Sequence, residues 1–367
     1  MHSKRAGKMK SITQASDGLL PLITFGSLLE AAAHQHDDGV HINDGFADFV
    51  EQTRKSLEDV DARILLLQGK GSAEGSIIDA EKGSVFKVMA DVNTYLNENV
   101  QYLTQEEHDV HEKHFRDRLT TFSAGAALLF RGLSRPLGYA GDYETMRMCY
   151  DNSYEGTTLL GKIMHKYTTE FTRSQAVRNR RGLIAGFAEG KRNIMSVACG
   201  PAAEVGFMAA QNPDTMVSVT LLDQDKEALD FARAQLANVD LNHVKVTYIN
   251  MSVYTIIKDA SVDLGRFDMI YSMGLFDYLN DSAAKKLCAK LLGMLAPDGE
   301  LIIGNFHVRC PNRYLIQYWC DWPLYYRTEV AMYQMVPAGG QQYASCIVYE
   351  QTKTQMFLKV RRVSSKL

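Results

Sequence analysis

Apolar residues along this chain follow two rhythms, and the rhythm changes near residue 190. In the first half, FADFVEQTRKSLEDVDARILLLQ sets Phe46, Phe49, Val50, Leu57, Val60 and Ile64 close to a 3.6-residue period, which predicts a helix with one buried face. After the glycine-rich break GKGSAEGS at 69–76, the segments KVMADVNTYLNENVQYL and HFRDRLTTFSAGAALLFRGL continue that reading, so helices are expected from residue 23 to about 130. A glycine- and tyrosine-rich link, RPLGYAGDYETMRMCYDNSYEG, comes next, and beyond Lys162 a further helix is expected through RSQAVRNRRGLIAGFA.

From about Arg192 the apolar runs shorten and alternate with helical spacers: NIMSVAC, MVSVTLLD, VKVTYIN, FDMIYSM and ELIIGNF. Five such runs predict a parallel sheet with helices on both faces. The last two runs, YASCIVYEQ and QMFLKVRR, lie close enough together to predict an antiparallel hairpin at one edge. The expected architecture is therefore α/β, a Rossmann-like seven-stranded sheet with a helical N-terminal region. Its expected divisions are a helical cap, lid or interface at 1–135, a linker with lid helices at 136–190, and a nucleotide-binding domain at 191–367.

Composition narrows the function classes. The 367 residues are 46% hydrophobic and 23% charged, enough for a substantial core. A net charge of -3 supplies no overall basic field, so nucleic acid is not an expected partner. The basic N-terminus (Lys4, Arg5, Lys8, Lys10) precedes an apolar run at 19–29 that is interrupted by Pro21, Thr24 and Ser27. That run falls short of the ~20 residues a spanning helix needs, so stable membrane insertion is not expected and a cytoplasmic location is. Six scattered cysteines with no CxxC pair read as reduced, packed thiols.

The chemistry starts at SVACGPAAEV, 196–205, where a predicted strand meets a helix through one glycine. Asp223 closes the next strand 23 residues after Gly200, the spacing of a nucleotide-binding turn and its ribose-binding carboxylate. Taken singly, Gly200 reads as a tight turn and Asp223 as a solvated carboxylate; together they favour a site. A dinucleotide pyrophosphate usually needs GxGxxG, whereas Ala198, Gly200 and Ala202, with Pro201, stand here. A cofactor with adenosine but no phosphate fits better, and S-adenosylmethionine meets that description.

At these residues the chain resembles the class I S-adenosylmethionine-dependent methyltransferases, over IMSVACGPAAEV, LLDQD, FDMIYSMGLFDYL and LIIGNFH. The resemblance implies cofactor contacts at Ala198, Gly200, Pro201, Asp223, Gln224, Ser252 and Met273. It departs from the family at Ser196, where an acidic residue is usual on the first strand, and at INMSV, where Ser252 replaces an acidic residue near adenine. The longer motifs RPLGYAGDYETM, GLFDYL and GNFH…P…DWPLYYRTE resemble the bacterial group that includes synthases of 3-hydroxy fatty acid methyl ester quorum signals.

For the reacting end, Asn305 and His307 are candidates, as substrate-holding amide and as base or donor, and Asp277 reads as a substrate-orienting group or a helix-start carboxylate. Tyr139 and Tyr143 are expected to reach the cofactor from a strap, GYAGDY, in which Gly138 and Gly141 allow close approach and Asp142 or Arg135 fixes the loop. Aromatic residues in the linker and after the fifth strand (Tyr314, Tyr318, Trp319, Trp322, Tyr325, Tyr326) suit both packing and a cationic ligand. His108, His111 and His114 are read as part of a solvated charged helix rather than a metal site, so no metal is expected; RNRR at 178–181 is read as a charged helix face. The leading expectation is methyl transfer to a carboxylate of a small-molecule or fatty-acyl substrate, giving a methyl ester. Two alternatives stay open: a cyclase converting S-adenosylmethionine to azetidine-2-carboxylate and methylthioadenosine, and a noncatalytic cofactor-binding module. A homodimer interface is a further role open to the helical region.

Overall fold

The computed structural model describes residues 41–211, 216–338 and 342–363; the apolar run at 19–29 and the expected helix start at 23 lie outside them. Three long helices come first: α1 (Asp44–Gly69), α2 (Glu74–Asn99) and α3 (Gln105–Ser123). The first starts where Asn43 accepts the N–H of Phe46, and it buries Phe46, Val50, Leu57, Val60 and Ile64, at the spacing of one helix face. A capping box between Thr104 and Glu107 opens α3. Shorter helices follow: α4 (Ala127–Ser134), α5 (Tyr143–Asp151), α6 (Leu159–Glu170) and α7 (Thr172–Phe187).

The sheet begins with β1 (Asn193–Val197), α8 (Glu204–Gln211), β2 (Val217–Asp223), α9 (Lys226–Leu236) and β3 (Val244–Asn250). It continues through α10 (Val253–Lys258), β4 (Phe267–Ser272), α11 (Asp281–Gly293) and the long β5 (Leu295–Phe306). After β5 come α12 (Arg313–Cys320), α13 (Glu329–Tyr333), and the hairpin β6 (Tyr343–Tyr349) and β7 (Gln355–Arg362). The strand order is β3-β2-β1-β4-β5-β7-β6, with β1 to β5 parallel and β7 antiparallel between β5 and β6. This is the expected seven-stranded sheet. Helices cover both faces, which is why β1 and β4 are apolar almost without alternation.

Strand order decides where a ligand can sit. The order reverses between β1 and β4, and the crevice beyond the carboxyl ends of such strands is the usual ligand position in open α/β sheets. The helical half stands over this edge and shares its core with the chain after β5: Phe306, Cys310, Tyr314, Tyr318, Trp319 and Trp322 pack in one cluster with Phe46, Leu57, Phe115 and Leu119.

Packing also corrects the reading of α3. His108, His111 and Glu112 are buried rather than solvated, because this face of the helix packs on α12. His108 Nδ1 lies 3.0 Å from the Tyr318 hydroxyl, His111 Nε2 accepts the N–H of Asn43, and Gln317 donates to Glu112 at 2.7 Å. Alternating acids and histidines look solvated in sequence, but paired across a helix contact they are satisfied inside. Among the described residues no group of three or more His, Cys, Asp or Glu is arranged to hold a metal ion, and no helix is long and apolar enough to cross a membrane.

Candidate active site

The site starts where β1 and β2 end side by side, Val197 opposite Leu222. Leaving β1, the chain takes left-handed backbone at Ala198 (φ 55°), Gly200 (φ 54°) and Ala202 (φ 50°). That conformation costs an alanine roughly 1–2 kcal/mol, so the surrounding bonds must impose it. Three do so: Cys199 N–H donates to Leu222 O at 3.1 Å, Gly200 N–H to Asp223 Oδ2 at 2.9 Å, and Ala202 N–H to Cys199 O at 3.1 Å. The alanines thus trace the turn that glycines make elsewhere, which residue types alone do not reveal.

Asp223 is buried, and its second oxygen accepts the N–H of Asp225 at 3.0 Å. Burial pushes the carboxyl up and the donated N–H groups oppose that. Each oxygen of an ionised carboxylate has a further lone pair to offer a ligand hydroxyl.

Asp223 opens onto a cavity of about 390 Å³, within the range of small-molecule sites. Of the expected cofactor contacts, Ala198, Gly200, Pro201, Asp223, Gln224 and Met273 all line it. Ser252 does not; it caps α10, accepting the N–H of Tyr254, while its neighbours Met251, Val253 and Tyr254 face the cavity.

Tyr139 and Tyr143 line the same cavity. Tyr139 donates its hydroxyl to Asp225, two residues beyond Asp223, so the strap is tied to the end of β2. Gly141 approaches closely: a Cβ there would lie 2.0 Å from the Tyr278 hydroxyl and 2.6 Å from Trp322 Cζ2. Gly138 serves differently, adopting φ 88° with open space around it. Asp142 caps α5 through the N–H of Thr145 and pairs with Arg131 at 2.7 Å, while Arg135 pairs with Asp321 at 2.7 Å.

One face of α7 forms the floor, through Arg173, Ser174, Val177 and Arg180. The RNRR segment, expected as a charged helix face, packs against its neighbours. Arg180 is buried and donates to Met273 O at 3.2 Å, Arg178 donates to Cys149 O at 2.8 Å, and Arg181 stacks over Tyr150. The segment lies between α5 and the sheet end, where guanidinium groups find carbonyls and rings instead of water. Arg173 was not singled out by the sequence; its seven-residue spacing from Arg180 becomes meaningful only once this helix face is known.

Asn305 and His307 do not line the cavity. Asn305 is fully buried, donates to Phe306 O and Tyr325 O at 2.9 Å each, and accepts from Arg327 at 2.8 Å. His307 Nδ1 accepts the N–H of Arg309, and its Nε2 lies 3.2 Å from Glu329. Both expected reacting groups instead hold the chain that returns from β5. Asp277 does reach the cavity: it accepts the N–H of Phe306 at 2.7 Å, and burial pushes its carboxyl up to about 6 against the pull of that N–H and of Arg173, Arg180 and Arg327.

Residues 194–299 match the family model described as a methyltransferase domain. With the strand order above, the fold is that of a class I methyltransferase, a class whose cofactor is S-adenosylmethionine. Among solved structures, a possible exported protein of Bordetella parapertussis aligns with TM-score 0.50 and 17% identity over 80% of this chain and 98% of its own. An N-methyltransferase of Bradyrhizobium japonicum aligns at TM-score 0.35 and 16% identity, covering 50% of this chain and 85% of that one. Magnesium protoporphyrin IX methyltransferase of Synechocystis aligns at TM-score 0.43 and 11% identity, covering 61% and 96%. No curated protein sequence matches the chain.

Proposed function

We propose that this protein binds S-adenosylmethionine in the cavity at the end of β1 and β2 and methylates a carboxylate of a small-molecule or fatty-acyl acceptor in the cytoplasm. The observation that carries the reading is the Gly200–Asp223 bond: it fixes a left-handed loop beside a carboxylate that keeps lone pairs for a ribose. The residues fit the cofactor. Beyond Gly200 and its chain neighbours no atom lies within 4 Å of where a Gly200 Cβ would stand, leaving room over the turn for the methionine part, while Asp223 suits the ribose hydroxyls. Bound there, S-adenosylmethionine supplies a sulfonium methyl group.

The protein's part is to align the acceptor and exclude water. The helices ahead of the sheet act as the cap, and the Tyr139 strap closes the side facing β2. The cofactor held there would supply its methyl group to an acceptor carboxylate, the S–C electron pair staying on sulfur, so that a positive and a negative charge would vanish together. No proton would need to move, which suits a cavity that no histidine lines among the described residues.

The test is incubation of the purified protein with S-adenosylmethionine alone and then with free fatty and 3-hydroxy fatty acids, following nucleosides and esters by mass spectrometry. S-adenosylhomocysteine and a methyl ester, formed only when acid is present, are expected. Methylthioadenosine formed without any acid would replace this reading with the cyclase. Absence of any cofactor turnover or binding would remove the catalytic reading altogether.

A further inference from the structure

We propose that Arg173 is the binding group for the acid end of the acceptor, a monocarboxylate with an apolar remainder; this rests on the methyl-transfer reading above. Arg173 is the second residue of α7, 6% exposed, and it lines the cavity. Its guanidinium stacks between two rings, 4.2 Å from the Trp322 centroid and 4.9 Å from that of Phe306. Its Nε is buried with no hydrogen-bond partner, while its backbone N–H donates to the Asn312 side chain at 3.3 Å. Among the described residues it forms no ion pair. Asp277, the nearby buried acid, is engaged by the N–H of Phe306 instead.

A guanidinium withdrawn from water with no ion-pair partner is costly, and stacking on two rings together with the more distant pull of the Asp277 carboxyl recovers only part of that cost. A cation kept in this state at a cavity wall is built for an anion that arrives with the ligand. Arg180, whose Nε is likewise buried without a partner and which likewise forms no ion pair among the described residues, differs in what its terminal nitrogens meet. It stands seven residues, or two turns, further along the same helix face, about 10 Å away by helical rise. There it is held by Met273 O at the end of β4, and a Cβ on Gly274 would lie 3.1 Å from its Nη1. Arg180 therefore belongs with the strand ends that carry the cofactor loop, and Arg173 with the end of β5 and Trp322, at the other end of the floor.

The planar fork of arginine matches a carboxylate through two parallel hydrogen bonds. Phosphate would fit the fork but not the surroundings: the side chains of Phe306 and Leu324 have no donors, and the Trp322 indole N–H is taken by the Tyr278 hydroxyl at 2.9 Å. An acid held this way is ionised and ready to be methylated, whereas the neutral ester product loses its charge pairing and leaves.

Two carboxylates compete for this assignment, the acceptor's and that of the cofactor's methionine, and both can be tested on the same full-length protein. Wild type, Arg173→Met, Arg173→Lys and Arg180→Met are titrated calorimetrically with S-adenosylhomocysteine, then with octanoate, 3-hydroxydecanoate and benzoate against octan-1-ol. Expected for wild type is that at least one acid binds at least tenfold more tightly than the alcohol. In Arg173→Met that preference disappears while S-adenosylhomocysteine affinity stays within about twofold, and in turnover KM for the acid rises much more than kcat falls. Arg180→Met shows the converse, weakened cofactor binding. Arg173→Lys, which keeps a charge without the fork, binds the acid at least fivefold more weakly than wild type and serves alone if the methionine variant fails to fold. The proposal is overturned if wild type shows no preference for acid over alcohol, if the preference survives in either Arg173 variant, or if the Arg173 variants lose cofactor affinity as Arg180→Met does. Failure of wild type to bind S-adenosylhomocysteine would instead overturn the methyltransferase reading itself.

Discussion

The hydroxyl of Tyr139 donates to the carboxylate of Asp225, joining the strap before α5 to the end of β2 across the rim of the cavity. A strap held by one such bond opens more readily when the bond is gone. Tyr139→Phe keeps the ring that packs edge-on against Tyr278 and removes only the hydroxyl. Cofactor affinity should fall about three- to tenfold, chiefly through faster dissociation in stopped-flow measurements, the size of a typical hydrogen bond's net contribution. An unchanged dissociation rate would mean that the strap does not retain the ligand.

Asp223 has two tasks, fixing Gly200 and accepting from the ligand. Asp223→Ala should lower S-adenosylmethionine affinity about 10- to 100-fold. Asp223→Asn keeps one carbonyl oxygen for the Gly200 N–H, so it should preserve thermal stability better than alanine while still binding the cofactor poorly. Equal affinity for wild type and both variants in calorimetry would detach the ribose role from this residue.

Asn305 and His307 separate folding from chemistry. His307→Ala should leave kcat within about threefold and move neither limb of the pH–rate profile, since the ring sits away from the cavity against Arg309 and Glu329. Asn305→Ala should cost about 1–3 kcal/mol of stability by denaturant titration, because it strips a buried acceptor from Arg327 and donors from two carbonyls. A shifted pH profile in the histidine variant would restore it to the reaction.

Asp277 makes stability depend on pH with a defined sign. Its folded-state carboxyl titrates near 6 against an ordinary 3.8, so between these values the folded protein binds the extra proton and stability falls as pH rises. The loss is on the order of 2–3 kcal/mol, complete above about pH 6. His165, pushed down to about 4 by burial, acts oppositely over an overlapping range, since there the unfolded chain binds more protons. The comparison of wild type with Asp277→Asn isolates the carboxyl: the difference in unfolding free energy should move in favour of the variant from pH 4 to 6 and then level off. A constant difference across that range would show that Asp277 titrates normally.

The fold was legible because strand and helix periods differ so plainly on either side of residue 190, and the spacing from Gly200 to Asp223 marked the loop. The reacting end was not. Asn305 and His307 follow a strand end, where catalytic groups often lie, yet the sequence could not show that Arg327 and Glu329 would come back to engage them. Arg178 to Arg181 read only as a charged helix face because a run of charges carries no mark of the carbonyls and rings that meet it from α5, α6 and the chain just after β4. Tyr139 and Gly141 could be noticed from composition. Which partner each would meet depended on Asp225, Tyr278 and Trp322, distant in the chain.

The core shared by α1, α3 and the chain just after β5 bears on how this protein can be handled. A fragment starting at residue 190 would keep every strand yet present Tyr314, Tyr318, Trp319 and Trp322 to water, and it would lack Arg173 and Arg180 together with their helix. Such a fragment should aggregate on expression. Exchange of acceptor preference between relatives would then require moving the helices and the 306–326 segment together, as one transplanted unit.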